Sequence, residues 1–373
     1  MTQNPLIPGI TNRYLALDVL RGMTIAFMII VNTAGDWSNM FTPLGHAKWH
    51  GFTPTDLVFP TFLFVVGNAM SFSMKKLQEM SSGDFFKKGG KRTVLIFLIG
   101  WLLSAFPFYD VDNFLEVRLF GVLQRIALCY FFGAIVLYYG GTKGAWIFSA
   151  AALFGYWAIM YFFGDAADPY SLTGNAAIKL DLAVMGPERM YGGEGIPFDP
   201  EGILSTLPAI VNVLAGYLAG KMIQKLGNTM EAIKKLLLIG LVLIILSYVW
   251  DLLFPINKKI WTSSYVLLTV GIDLILLAFL VGVIEIKNWK GWTYFFEVFG
   301  RNPLLLYVLS GLVIRILGMI PIGETTLRGF IYQNFYTTWL SPKMASFLFA
   351  FSYMLLIWLI GLWMDRKKVY IKV

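Results

Sequence analysis

The chain alternates between long apolar runs and short polar breaks. The runs fall near 14–34, 55–74, 92–109, 118–139, 144–163, 202–222, 233–254, 260–284, 295–319 and 343–364. Most approach the roughly 20 residues that a helix needs to cross a hydrocarbon core about 30 Å thick. Lipid offers the backbone no hydrogen-bond partner, so such runs must close their own bonds as helices. The pattern predicts an all-α, polytopic integral membrane protein of about ten spans, forming a single domain over residues 1–373. The first run contains Asp18 and Arg21 and reads as a membrane helix rather than a cleavable leader. No internal repeat of the kind found in many transporters is visible.

Charge then orients the bundle. Placing the N-terminus in the cytoplasm puts eighteen Lys and Arg, from Arg13 to Lys372, in the inner breaks and tail. The opposite breaks hold six: Lys48, Lys179, Arg189, Lys258, Lys259 and Arg328. That bias predicts both termini in the cytoplasm. It also accounts for the net charge of +8 without nucleic acid, since the basic residues lie between apolar runs. Composition agrees: 57% of residues are hydrophobic, only 14% are charged, and mean hydropathy is +0.67. The single cysteine, Cys129, lies inside an apolar run, so no intramolecular disulfide can form. Two outer segments, 35–54 and 164–200, are long enough to form the acceptor side.

Candidate chemistry is sparse. The only histidines, His46 and His50, share the first outer segment with Trp37 and Trp49 and precede Asp56. Histidine suits proton transfer near neutral pH and can act as a nucleophile, although belt tryptophans with interfacial histidines give the same pattern. Two histidines without a third ligand do not make a zinc site, and no metal is expected. Asp18 and Arg21 share a helix face, either as a structural pair or as part of an anion site. Asn32 lies three turns beyond Arg21, at a depth where His46 can fold back over it. Arg118 and the segment Gly121-Val122-Leu123-Gln124-Arg125 put two guanidiniums in one run, which suits either phosphate or a structural carboxylate. Asp199-Pro200-Glu201-Gly202 reads first as a helix start.

Together these segments resemble the heparan-α-glucosaminide N-acetyltransferase-like transmembrane acyltransferases, a bacterial member being the expectation. The resemblance rests on Leu17-Asp18-Val19-Leu20-Arg21-Gly22, Val31-Asn32, His46-Ala47-Lys48-Trp49-His50-Gly51-Phe52-Thr53 and Asp56-Leu57-Val58-Phe59-Pro60. It continues through Phe64-Val65-Val66-Gly67, a cytoplasm-proximal Gly121–Arg125, Asp199–Leu204 and Pro255-Ile256-Asn257-Lys258-Lys259-Ile260-Trp261-Thr262-Ser263-Ser264-Tyr265. It implies transfer of acetyl from cytoplasmic acetyl-CoA to an amino sugar on the far side of a bacterial inner membrane, by a chain that pairs as a homodimer. By this resemblance His46, Asn32 and Asp56 are catalytic. Arg21, Arg92, Gln124 and Arg125, with Arg13 and Lys91, hold the cofactor. Trp49, Asp181, Asp199 and Glu201 face the acceptor. Heparan sulfate itself is not carried over, because the polymer-binding parts of the lysosomal relatives are expected to be absent. His46 acts either as a general base or through an acetyl-histidine. The alternatives are a sugar or amino-sugar transporter and a non-catalytic scaffold.

Overall fold

A computed structural model describes residues 14–107 and 116–371. Arg13, Lys372 and the end of the 92–109 run lie outside the described residues. The apolar runs do become helices: α1 (Leu15–Asn32), α2 (Val58–Gln78), α3 (Ser82–Ala105), α4 (Val122–Phe163), α6 (Ile203–Leu226), α7 (Met230–Asp251), α8 (Ser263–Leu280) and α12 (Pro342–Arg366). The ninth run divides into α9 (Thr293–Arg301) and α10 (Pro303–Met319). Two further helices, α5 (Ala176–Met185) and α11 (Leu327–Phe335), lie in polar segments, the latter after a two-residue hairpin, Pro321–Ile322 with Thr325–Thr326. Helix starts follow local chemistry: Ser81, Thr229 and Thr262 each accept a backbone N–H of the first turn they cap.

By length and apolar composition, seven described helices can cross a membrane, or eight if the bent α9–α10 pair is one span. The difference between eight and ten has two sources. At 42 residues α4 would be about 63 Å long if straight, twice a hydrocarbon core. It breaks at Gly141, whose φ of +54° suits a residue without a Cβ, and two of the predicted runs meet there. α3 carries Lys87, Lys88, Lys91 and Arg92 along its first half. The 83° bend between α9 and α10 falls at Asn302, where Pro303 cannot continue a helical hydrogen-bond ladder.

Glycines let the central helices touch. A methyl on Gly67 of α2 would lie 1.7 Å from Val213 O of α6, and one on Gly216 would lie 1.8 Å from Phe64 O. Gly22 of α1 meets Phe296 O of α9 at 1.8 Å in the same sense. Lipid provides no hydrophobic drive between helices, so close backbone packing of this kind is what associates them. α7 lies at the periphery, with Leu238, Ile245 and Val249 exposed.

The bundle has two distinct ends. One gathers the C-terminus of α1 and the N-termini of α2, α4, α6 and α8 around His46. At the other, Lys75 and Lys76 end α2, Lys225 ends α6 and Arg366 ends α12. There Arg301 pairs with Asp365 at 2.5 Å and with Glu297 at 2.9 Å. The tail returns to this point: Asn302 Nδ2 donates to Val369 O at 3.0 Å and its Oδ1 accepts from Ile371 N at 2.9 Å.

Candidate active site

The site starts from a capping box. Thr53 caps the tight turn Pro54–Leu57 that leads into α2, and Asp56 reaches back to the Thr53 N–H at 3.0 Å. The same Oδ2 accepts from the Thr53 hydroxyl at 3.1 Å and from the Ala47 N–H at 3.1 Å. This folds the 45–56 segment around one carboxylate that is fully buried. Its other oxygen, Oδ1, lies 2.7 Å from His46 Nδ1. An ionised carboxylate only accepts, so the bond assigns the proton to Nδ1 and leaves Nε2 as a base. From α8, Tyr265 donates to the Asp56 carbonyl at 2.6 Å and fixes the turn from behind.

His46 opens onto a cavity of about 240 Å³ whose walls include Asn32, Arg118, Tyr191, Glu194, Glu201, Lys258 and Lys259. Asn32 ends α1 and His46 lies in the loop beyond it, so the expected pair does meet at one cavity, with Asp56 behind. Glu201 also lines it. Arg118 crosses the wall, donating to Asp199 at 2.7 and 3.0 Å and to Glu201 at 2.5 Å. Its guanidinium lies 4.7 Å from the centre of the Tyr191 ring. Burial pushes the Asp199 carboxyl up. Burial acts the same way on Glu201, but Arg118, Arg125 and Lys258 outweigh it and hold that carboxyl low.

The remaining expected acceptor residues stand behind the cavity. Trp49 donates to Tyr170 O at 2.9 Å and packs edge-on against Phe198, tying the 35–54 loop to the 164–200 loop. Asp181, on α5, accepts from Ile203 N at 2.9 Å and caps α6; burial raises its pKa to about 7. His50 lies 3.4 Å from Asn257 Nδ2, and burial lowers its pKa.

Among the described residues, those expected to hold the cofactor do not form one cluster. Arg21 sits towards the far end of α1, bonded to Asp18 at 3.3 Å and to Gly300 O at 3.2 Å. Arg92 lies on α3 over the Tyr130 ring at 4.4 Å. Gln124 and Arg125 are buried in the first turn of α4, at the His46 end rather than near the opposite face. Arg125 donates to Gly202 O at 3.0 Å and to Ser205, and lies over the Trp261 ring at 4.9 Å. The run 118–139 enters from the His46 side, so its first residues cannot be cytoplasm-proximal in the topology that the charge bias predicts.

Sequence reasoning gave Lys258 no role beyond the charge count. Its Nζ stands 3.0 Å from His46 Nδ1 and 3.1 Å from Nε2. The signal was its place in the Pro255–Trp261 segment, but a loop lysine next to a second lysine reads as topology.

A family model described as the catalytic region of heparan-alpha-glucosaminide N-acetyltransferase matches residues 13–247. The chain belongs to this family. The matched residues include Asn32, His46, Asp56, Arg118 and Glu201, whereas Lys258 lies beyond them. The chain is similar to the heparan-alpha-glucosaminide N-acetyltransferase of Mus musculus, 27% identical over 355 residues, covering 80% of this chain and 53% of that protein. The Homo sapiens protein of the same name is 26% identical over 352 residues, covering 79% and 52%. The chain thus spans about half the length of the curated relatives it matches.

Proposed function

We propose that this protein transfers acetyl from acetyl-CoA, drawn from the cytoplasm, to the amino group of a sugar at the His46 end, across a bacterial cytoplasmic membrane. The observation that carries the reading is the His46–Asp56 dyad opening onto the cavity that Asn32 also lines. Membership of an N-acetyltransferase family supplies the reaction class. The lysine-rich opposite end favours a cytoplasmic position for that face and would attract the polyanionic donor.

The acceptor reacts as its free amine, its ammonium having given one proton to solvent, and His46 Nε2 takes a further proton from the nitrogen as it attacks the thioester carbonyl. Asp56 holds the tautomer that makes this available. Asn32 donates to the oxygen on which charge develops. Collapse breaks the C–S bond, and the departing thiolate recovers the proton from Nε2. Three features suit a small cationic acceptor. A cavity of about 240 Å³ is below the usual ~300–1,000 Å³ of ligand pockets and suits a single small moiety at a time. Tyr191 offers an aromatic face. Glu201 lines the cavity with its carboxyl held low by the cations around it.

The test is incubation of the detergent-purified protein with radiolabelled acetyl-CoA and glucosamine, beside His46→Ala. The expected result is N-acetylated sugar from the wild type alone. Label retained on the wild type without acceptor would assign an acetyl-histidine route. Equal product from both proteins would remove His46 from the chemistry. Sugar uptake into proteoliposomes without acetyl-CoA, with no acetylated product, would replace the reading with transport.

A further inference from the structure

The turn between α7 and α8 is built to present one side chain. Asn257 is fully buried at its centre. Its Oδ1 accepts from Lys259 N at 2.7 Å and Ile260 N at 3.2 Å, and its own N–H donates to the Thr262 hydroxyl at 3.0 Å. Trp261 takes a φ of +51°, a left-handed conformation that a bulky aromatic rarely adopts. It is held there by its surroundings. The ring is buried edge-on against Phe59 and Tyr265, its Nε1–H donates to Asn212 at 3.1 Å, and Arg125 covers a face. Backbone strain that the surroundings over-determine collects where a group must be placed accurately.

The group so placed is Lys258, whose side chain is 16% exposed and lines the cavity. Its nearly equal distances to the two imidazole nitrogens put the ammonium over the ring face, because in the ring plane the same distances would drive it into the carbon between them. The in-plane lone pair of Nε2 therefore stays open to the cavity. The other cations of the wall are committed: Arg118 to Asp199 and Glu201, and Lys259 to Glu194 at 2.5 Å and Lys48 O at 2.7 Å. Lys258 lies 3.9 Å from Asp56 Oδ1, beyond hydrogen-bond reach.

We propose that Lys258 is a catalytic residue of this site, donating a hydrogen bond to the oxyanion that forms on the acyl carbonyl during transfer beside His46. The inference rests on the acetyl-transfer reading. An acceptor nitrogen that gives its proton to Nε2 must sit within hydrogen-bond distance of it, and the carbonyl oxygen lies only two bonds away in the tetrahedral state. A cation 3.1 Å from Nε2 is therefore beside that oxygen. As the nitrogen lone pair forms the N–C bond, the carbonyl π electrons move to oxygen, where Lys258 and Asn32 donate. The oxygen returns the pair as the C–S bond breaks, and Lys258 keeps its protons throughout. Burial, opposed by Asp56 and Glu201, lowers the Lys258 pKa, which makes the ammonium a stronger donor.

The experiment compares steady-state acetyl transfer by wild type, His46→Ala, Lys258→Met, Lys258→Gln and Lys258→Arg, each checked for folding by its thermal unfolding in detergent. The expected result for Lys258→Met is a kcat about 100- to 1,000-fold lower at nearly unchanged KM for acetyl-CoA, the usual cost of removing an oxyanion donor. Arginine restores part of kcat and glutamine less. The proposal is overturned by a folded methionine variant with wild-type kcat, or by a loss lying wholly in KM. Should that variant not fold, a glutamine variant at wild-type kcat overturns it equally. A wild type without turnover on any amine would instead sink the acetyl-transfer reading, whereas a dead His46→Ala beside an unaffected Lys258→Met would sink only the role of Lys258.

Discussion

Asp56 serves four donors with two oxygens, three of them from the loop it organises and one from His46. An amide in its place accepts on one oxygen only, so Asp56→Asn must turn its NH2 either to the loop donors or to Nδ1. We expect kcat to fall by about 10²- to 10⁴-fold, the usual share of a positioned base, measured by steady-state acetyl transfer. Arg118→Leu leaves Asp199 and Glu201 buried together without their cation. The expected loss is about 3–5 kcal/mol, read from thermal unfolding in detergent. Asp181 sets a pH dependence. Its carboxyl is neutral in both states below about pH 4; the unfolded chain loses the proton near 3.9, but the folded protein keeps it to about 7. Its stabilisation is therefore full in acid and lost as pH rises through 7. The melting temperature should fall over that interval, and Asp181→Asn should flatten the slope. The sequence singled out His46 by the rarity of histidine and named Asn32 beside it through the family resemblance; that both line one cavity is what the structure adds. Lys258 was not singled out, because what distinguishes it is a distance set by the Asn257 turn.

Periodicity and length recovered the long helices, because lipid leaves apolar runs no other way to satisfy their backbone. The short helices escaped. α5 lies among Gly, Pro and Asp, and α11 is polar enough to read as loop. The joining of two runs through Gly141 and the splitting of another at Asn302 depend on backbone angles that hydropathy does not record. Helix contact also rests on single positions. Gly67→Ala would push α2 off Val213 O, and we expect a loss of at least about 1–3 kcal/mol, the cost of overpacking. Gly140→Ala, with nothing within 4 Å of the added methyl, should melt with the wild type.

At the scale of the whole molecule, the end away from His46 gathers Lys75, Lys76, Lys225 and Arg366 at its helix termini. This polarity was fully visible in the sequence, because lysines in breaks need no packing to be counted. What it could not reveal is how the long segments after α1 and α4 close over one cavity, which depends on contacts such as Trp49 with Tyr170. Sidedness can be measured by single cysteines, since native Cys129 is buried. A membrane-impermeant maleimide applied to intact spheroplasts should label Ser38→Cys and spare Lys88→Cys until the membrane is opened. Labelling in the reverse order would invert the proposed direction of transfer.

The returning tail makes residues 369–371 part of the α9–α10 bend. Asn302 stands 1% exposed and satisfies both ends of its amide on Val369 and Ile371. A fluorescent reporter spliced in place of residues after Arg366 would strand that amide and free the polypeptide on which Tyr370 reaches Asp365. Reporters and affinity handles for this protein therefore belong beyond the intact tail, behind a flexible spacer. A truncation series stepping back through Ile371 should lose yield abruptly rather than gradually.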